Sequence, residues 1–100
     1  RSARLADLAR PIGVFANFWA EAVALRDAAG EQGLRLGRDI LIATVPDQFA
    51  MEHCRGMALA VRDEIAIGRA GGELLLRRLA GQAPPDETID VPCEIVLPQP

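Results

Sequence analysis

The chain has no lysine and no tyrosine, and its 100 residues include only two cysteines, one histidine and one tryptophan. Cys54 and Cys93 lie far apart and form no CxxC pair, which argues against a disulfide framework and against a metal site. No GxGxxG fingerprint or P-loop is present, so the sequence offers no nucleotide-binding motif and no cofactor is expected. No apolar run approaches the roughly 18 residues of a membrane helix, so no membrane partner is expected either.

Candidates for catalysis are equally scarce. His53 and Cys54 would form a nucleophile pair only if adjacent side chains faced each other, which is rarely productive. Four carboxylates lie near the predicted ends of strands and helices, where capping and turn roles explain them: Asp39, Asp47, Glu52 and Asp63. We therefore expect no catalytic residue and no enzymatic activity.

Charge and composition indicate one globular domain, with half of the residues hydrophobic and a quarter charged. The formal net charge is −3, and all eleven basic residues are arginine. An acidic chain without a basic stripe is a poor candidate for binding nucleic acid by itself. The adjacent pair Arg77 and Arg78 is expected to be solvated and to complement a helix C-terminus. Because the sequence begins with Arg-Ser rather than Met, we expect it to be a piece of a longer protein.

Apolar runs alternate with helical spacing along the chain, which predicts the α/β class. The expected elements are strands at 11–16, 40–45, 57–61 and 91–97, and helices at 18–32 and 64–80. A short helix capped by Ser2 is expected in the first ten residues. The first three strands should form a parallel core with 40–45 in the middle. The apolar middle strand is typical of one covered on both faces.

Local signals predict where the two long helices begin and end. Asn17 is expected to cap the first helix, with Glu21 in its first turn. Gly33 followed by Leu34 predicts a left-handed C-cap, and Gly81 ends the second helix. The second helix is expected to have Ile65, Gly68, Gly72, Leu75 and Leu79 on one face.

Residues that follow the predicted parallel strands are the candidate ligand-binding residues, because ligands of open α/β sheets bind outside the carboxyl ends of the strands. These positions hold Asn17, Phe18 and Trp19 after the first strand and Asp47 after the second. Each also has a structural explanation: Asn17 as a helix cap, Asp47 as a turn residue, and the two aromatic rings as core or interface packing. Both interpretations stay open on the sequence alone.

Several segments occur in an order and spacing that resemble one protein family. The most specific is Gly33-Leu-Arg-Leu-Gly-Arg-Asp39-Ile40, which is similar to a connector Gly-Leu-x-Val-Pro-x-Asp-Ile/Val. The others are Ile12-Gly-Val-Phe-Ala-Asn17, Thr44-Val45-Pro46-Asp47, Ala58-Leu-Ala-Val61-Arg62, Ile67-Gly68-Arg-Ala70 with Glu73-Leu-Leu-Leu76 and Gly81, and Val91-Pro92-Cys-Glu94-Ile-Val96. From about residue 11 onward, the chain resembles the C-terminal portion of the effector-sensing domain of LacI/GalR-type transcriptional regulators.

The resemblance implies a parallel three-layer sandwich of the periplasmic-binding-protein type I kind, present here as a partial domain over 1–100. It implies a cytoplasmic, two-lobed sensor that closes on a small effector, usually a sugar or nucleobase. The parent would bind DNA through a helix-turn-helix headpiece that is absent from this chain. The family works as a dimer, and its interface corresponds to residues 18–30 and 48–56, which carry Trp19, Val23, Phe49, Met51 and Cys54.

Departures from the family pattern fall at the expected binding site. Phe18 stands where the family has an aspartate after the asparagine, and Pro46 replaces the first residue of an Asp-Asp pair. Asp63 stands at the family's glutamine, and the spacing from there to Gly68 is one residue shorter. The parent is therefore expected to sense a less polar or aromatic ligand, or to have no effector. The alternatives are a periplasmic sugar-binding protein of the same fold and an AraC-type regulator with a fused sensor.

Overall fold

A computed structural model describes residues 4–98 of the chain. Its elements are β1 (Ile12–Ala16), α1 (Trp19–Glu31), β2 (Ile40–Thr44), β3 (Ala58–Arg62), α2 (Glu64–Leu79) and β4 (Cys93–Val96), with 3-10 helices at Leu5–Asp7 and Met51–Cys54. The four predicted strands and both long helices are therefore confirmed. The helix expected in the first ten residues is reduced to the single 3-10 turn, and its expected cap, Ser2, lies outside the described residues.

The four strands form one sheet in the order β1-β2-β3-β4. β1, β2 and β3 run parallel, as predicted, and β4 runs antiparallel to β3. The predicted parallel core of three strands is thus confirmed. The resemblance implies a parallel sandwich, and the antiparallel β4 departs from it. Because Arg62 at the end of β3 pairs with Cys93 at the start of β4, the chain leaves and rejoins the sheet at the same end. A strand that starts there must run back along β3.

The hydrophobic core lies between α1 and one face of the sheet. Alternate strand residues point into it, and the alanines of α1 let that helix approach closely. Its buried members include Ile12, Ile40, Ile42 and Leu59 from the strands and Ala22 and Ala29 from α1. The chain turns from α1 toward β2 at Gly33, which has a φ of 78° and precedes the buried Leu34. The predicted left-handed C-cap is confirmed, because the Leu34 N–H donates to the Ala29 carbonyl at 2.9 Å.

The opposite face of the sheet is uncovered within residues 4–98. Phe15 on β1 is 63% exposed, Leu41 on β2 is 48% exposed and Ile95 on β4 is 64% exposed. The expectation that the middle strand is covered on both faces is therefore wrong for the described residues, because no segment among them reaches this side. The chain has the α/β class with one helical layer, and the third layer stays a prediction.

Helix α2 projects away from the core, and none of its residues is buried. Ile65, Leu75 and Leu79, which share the predicted apolar face, are exposed, so this face has no packing partner within residues 4–98. The helix instead turns another side toward the chain that follows it, and a groove of about 360 Å³ is lined by Ile67, Ala70, Gly71 and Leu74 together with Ile89, Asp90 and Val91.

Side chains at the end of α2 fasten the following segment to the helix. The Arg77 guanidinium donates two hydrogen bonds to the Glu87 carboxylate, one of them 3.0 Å long, and Arg78 donates to the Glu87 carbonyl at 3.2 Å. The sequence predicted that the two arginines are solvated cations, but both donate hydrogen bonds to Glu87. Gly81 ends the helix as predicted, with a φ of 71°.

The projection of α2 makes the molecule long and thin. The described chain measures 58 × 32 × 17 Å, and its radius of gyration is 18.7 Å. A compact domain of this length has a radius of gyration of about 13 Å. Neither helix within residues 4–98 is long and apolar enough to cross a membrane.

Candidate ligand-binding site

A pocket of about 270 Å³ lies at the carboxyl ends of the three parallel strands. It is lined by Asn17, Phe18, Trp19, Val45, Asp47 and Arg62. The parallel pairing of β1, β2 and β3 explains this arrangement, because it brings the residues after each strand to one edge of the sheet. The four candidate residues chosen from the sequence meet in this one pocket.

The first wall of the pocket comes from the turn between β1 and α1. Phe18, not Asn17, is the N-cap residue, and it makes no side-chain capping hydrogen bond. The prediction for Asn17 was wrong because the helix begins one residue later than the capping preference indicated. The Asn17 carboxamide is thus not used to cap the helix. The Phe18 ring is 62% exposed, so this wall offers an amide group beside an open aromatic surface.

The second wall comes from the turn after β2. Asp47 has the predicted turn role, because its Oδ1 accepts a hydrogen bond of 3.0 Å from the Phe49 N–H. Its carbonyl accepts a further bond of 3.0 Å from the Ala50 N–H. Within residues 4–98, the Asp47 Oδ2 atom has no hydrogen-bond donor. The structural and the ligand-binding interpretations of Asp47 are therefore compatible, since one oxygen holds the turn and the other is available.

Arg62, the last residue of β3, is the pocket residue that the sequence reasoning missed. The family resemblance instead points to the next residue, Asp63, which stands at the family's glutamine position. That side chain instead caps α2, with Oδ1 accepting a 3.0 Å bond from the Ala66 N–H. The available signal was the parallel pairing itself, because the end of a third parallel strand must lie at the same edge as the other two.

The surface beside the pocket combines α1 with the chain after β2. The Trp19 ring stacks on His53 at a centroid distance of 5.6 Å, and Arg26 donates to the His53 carbonyl at 2.8 Å. Of the predicted interface residues, Trp19, Val23 and Met51 are half-buried and Phe49 is exposed. They lie on the two segments that these contacts join.

Cys54 does not belong to this surface, because its side chain is completely buried in the core. Its expected place in a dimer interface is therefore corrected. The 3-10 turn Met51–Cys54 directs neighbouring side chains to different sides, with His53 on Trp19 and Cys54 in the core. Burial raises the pKa of the Cys54 thiol, the Arg26 charge opposes that shift, and the Asp47 charge adds to it. No group of three or more metal-ligating side chains occurs in the described part of the chain.

Comparison of the chain with protein-family models gave no match, and neither did comparison with curated proteins or with solved structures. The resemblance of its motifs to LacI/GalR-type regulators therefore stays a prediction from the sequence.

Proposed function

We propose that the chain is the C-terminal part of the effector-sensing and dimerisation domain of a bacterial LacI-type transcriptional regulator. A ligand bound at the strand ends would alter DNA binding by the parent protein, which carries the DNA-binding headpiece. The observation that carries this proposal is the pocket of mixed aromatic and polar character at the carboxyl ends of β1, β2 and β3.

The openness of the pocket supports a sensor with two lobes. Asn17, Phe18 and Arg62 are exposed although they line a concavity, so one side of the site faces solvent. Ligand pockets favour the interface between two domains because closure then buries most of the ligand. In a periplasmic-binding-protein type I fold, the second lobe would supply the facing wall.

The position of α2 gives independent support. Its exposed apolar residues have no cover within residues 4–98: Ile65, Leu75, Leu76 and Leu79. A helix with such a stripe is stable in water only when the stripe packs on another layer. A chain segment that crosses from one lobe to the other and back explains both the stripe and the return of the chain beside β3.

The pocket walls indicate the kind of effector. Phe18 and Trp19 offer aromatic faces, while Asn17 and Asp47 offer hydrogen-bonding groups for hydroxyl or amino donors. A sugar site needs several polar groups aimed at hydroxyls, and this pocket has few. The effector of this proposal is therefore a small molecule with an apolar or aromatic face and a few polar substituents.

The alternatives share the pocket and differ in the parent protein. A periplasmic solute-binding protein would bind a transported ligand at this site, and an AraC-type regulator would join the same sensor to another DNA-binding domain. The complete reading frame distinguishes them, because a helix-turn-helix segment indicates a regulator and a signal peptide indicates a transport protein.

The test uses the full-length protein encoded by that reading frame. Its binding to labelled duplex DNA from its own upstream region is measured with and without a panel of small aromatic and polar metabolites. We expect one ligand to change DNA affinity at least tenfold, and the exposed Asn17→Ala variant to lose this response.

Gln82→Ala, which removes an exposed amide outside the pocket, serves as the matched control and should respond normally. A ligand that binds a protein without DNA affinity would favour the transport alternative. A protein that binds neither ligand nor DNA would overturn the proposal.

A further inference from the structure

We infer that the pocket selects small carboxylic acids and that Arg62 is the residue that recognises the carboxylate. This inference rests on the proposed function of the pocket as a ligand site. It adds the chemical class of the ligand and a specificity-determining residue that the family resemblance does not supply.

The Arg62 guanidinium is available for a ligand. Its one ion pair within residues 4–98 joins Nη2 to Glu64 Oε1 at 3.9 Å, and the Arg62 side chain is 54% exposed. A long, solvent-exposed ion pair of this kind holds the guanidinium weakly. Among the described residues, no hydrogen bond is donated by the Arg62 guanidinium, and this ion pair is its one polar contact. Arg77 shows the contrasting case, since its two terminal nitrogens are both bonded to Glu87.

The chemistry of a guanidinium in this position favours a carboxylate. Arginine presents its N–H donors as a planar fork that matches the two oxygens of a carboxylate. The aromatic rings of Phe18 and Trp19 line the same pocket and offer apolar surface to the body of such a ligand.

Asp47 further narrows the chemical class of the ligand. Its carboxylate lines the same pocket, and Asp63 and Glu64 follow Arg62 directly in the chain. A doubly charged anion such as phosphate would be repelled by these groups. A monocarboxylate with a hydroxyl or ammonium group for Asp47 satisfies both charges, so the class is that of small hydroxy and amino acids with an apolar or aromatic body.

The single tryptophan of the chain, Trp19, lies in the pocket and reports occupancy through its fluorescence. The chain is titrated with matched acids and alcohols: 4-hydroxyphenylacetate and 4-hydroxyphenylethanol, phenylalanine and phenylalaninol, and phenyllactate and 3-phenylpropane-1,2-diol. We expect at least one acid to bind tenfold or more tightly than its alcohol. Arg62→Gln should abolish the difference, while Arg69→Gln, an exposed arginine on α2, should preserve it.

The possible results separate this inference from the proposed function. Equal binding of an acid and its alcohol, unchanged in Arg62→Gln but lost in Asn17→Ala, would overturn the carboxylate inference and leave the ligand site standing. A response to inorganic phosphate or sodium chloride as large as that to the acids would also overturn it, because it would reflect unselective ion pairing. The absence of any response to all six compounds would overturn the carboxylate inference, while the DNA-binding measurement on the full-length protein decides the proposed function.

Discussion

The two cysteines of the chain occupy opposite environments, since Cys54 is buried and Cys93 is exposed on β4. Burial raises the pKa of the Cys54 thiol, so less thiolate forms there at a given pH. With iodoacetamide at pH 8, we expect Cys93 to be alkylated first and Cys54 at least about tenfold more slowly. Mass spectrometry of the digested protein measures the two rates. The Cys93→Ser variant, which keeps only Cys54, identifies the alkylation rate of that thiol. Equal alkylation rates of the two cysteines in the folded chain would contradict the packing around Cys54.

Of the two rules applied to Asn17, one predicted its position correctly and the other did not. The rule that ligands lie at strand ends correctly brought Asn17 and Asp47 to one place, because it depends only on strand direction. The capping preference of Asn17 failed because a cap is worth about 1 kcal/mol, which is less than the packing that fixes the start of a helix. Here that packing includes the buried Ala22 and the stacking of Trp19 on His53.

The end of α1 offers a test in which a glycine within the helix and a glycine just after it respond to substitution with opposite signs. Gly33 has a φ of 78°, so Gly33→Ala forces a left-handed alanine and should destabilise the chain by about 1–2 kcal/mol. Gly30 lies within the helix and has open space where a Cβ atom would be. Gly30→Ala should therefore stabilise the chain by up to about 1 kcal/mol.

Urea denaturation followed by circular dichroism measures both changes. Equal effects of the two substitutions would contradict the helix ending described here.

The contact between α2 and the segment after it, made by Arg77 and Glu87, should depend on pH. The hydrogen bond from Arg77 holds the pKa of Glu87 below its ordinary value of 4.5. A carboxyl whose pKa is lowered by folding stabilises the folded state above its unfolded pKa, and this contribution disappears as the pH falls through the lowered value. We therefore expect the protection of amides in residues 84–91, measured relative to their intrinsic exchange rates at each pH, to decrease as the pH falls below 4.5.

Glu87→Gln should exchange rapidly at neutral pH and lose most of this pH dependence, while the exposed neighbour variant Asp86→Asn should behave as the unmodified chain. If neither Glu87→Gln nor pH changes the amide protection in residues 84–91, the hydrogen bonds between Arg77 and Glu87 do not hold this segment against α2.

The ends of the helices were predictable because the residues that determine them are close together in the sequence. The caps at Gly33, Asp63 and Gly81 depend on a few neighbouring residues, and all three occur as helix ends in the structure. The packing face of α2 was not predictable, because apolar side chains surround that helix. Ile65 and Ile67 lie on different sides, so periodicity alone selects neither. The return path of residues 82–92 decides which side is used, and no local pattern encodes that path.

At the scale of the whole molecule, two apolar surfaces are uncovered within residues 4–98. One is the sheet face with Phe15, and the other is the α2 stripe with Leu79. Large exposed apolar surfaces drive association, so we expect the isolated chain to form a homodimer or a higher oligomer at tens of micromolar. Sedimentation velocity measures this, with Phe15→Gln and Leu79→Gln expected to weaken association and Glu73→Gln to leave it unchanged. A stable monomer would contradict the prediction.

The charge of the whole molecule leads to a prediction about DNA. Affinity for duplex DNA comes mostly from basic side chains that neutralise phosphates, and the formal net charge of this chain is −3. Several arginines are engaged within the chain, since Arg26 bonds the His53 carbonyl and Arg77 and Arg78 bond Glu87. Arg10 also has a carboxylate, that of Asp39, within 4 Å. A continuous positive surface is therefore not expected.

We expect the isolated chain to bind operator-length duplex DNA no better than weak background at physiological salt, even if its parent is a repressor. Fluorescence anisotropy of a labelled duplex at two salt concentrations measures this directly. Binding at micromolar concentration or tighter, with a steep loss on adding salt, would contradict the prediction, because it would require a phosphate-contacting surface on this chain. A headpiece on the full-length protein would then not be needed for DNA affinity, and the sensor assignment itself would have to change.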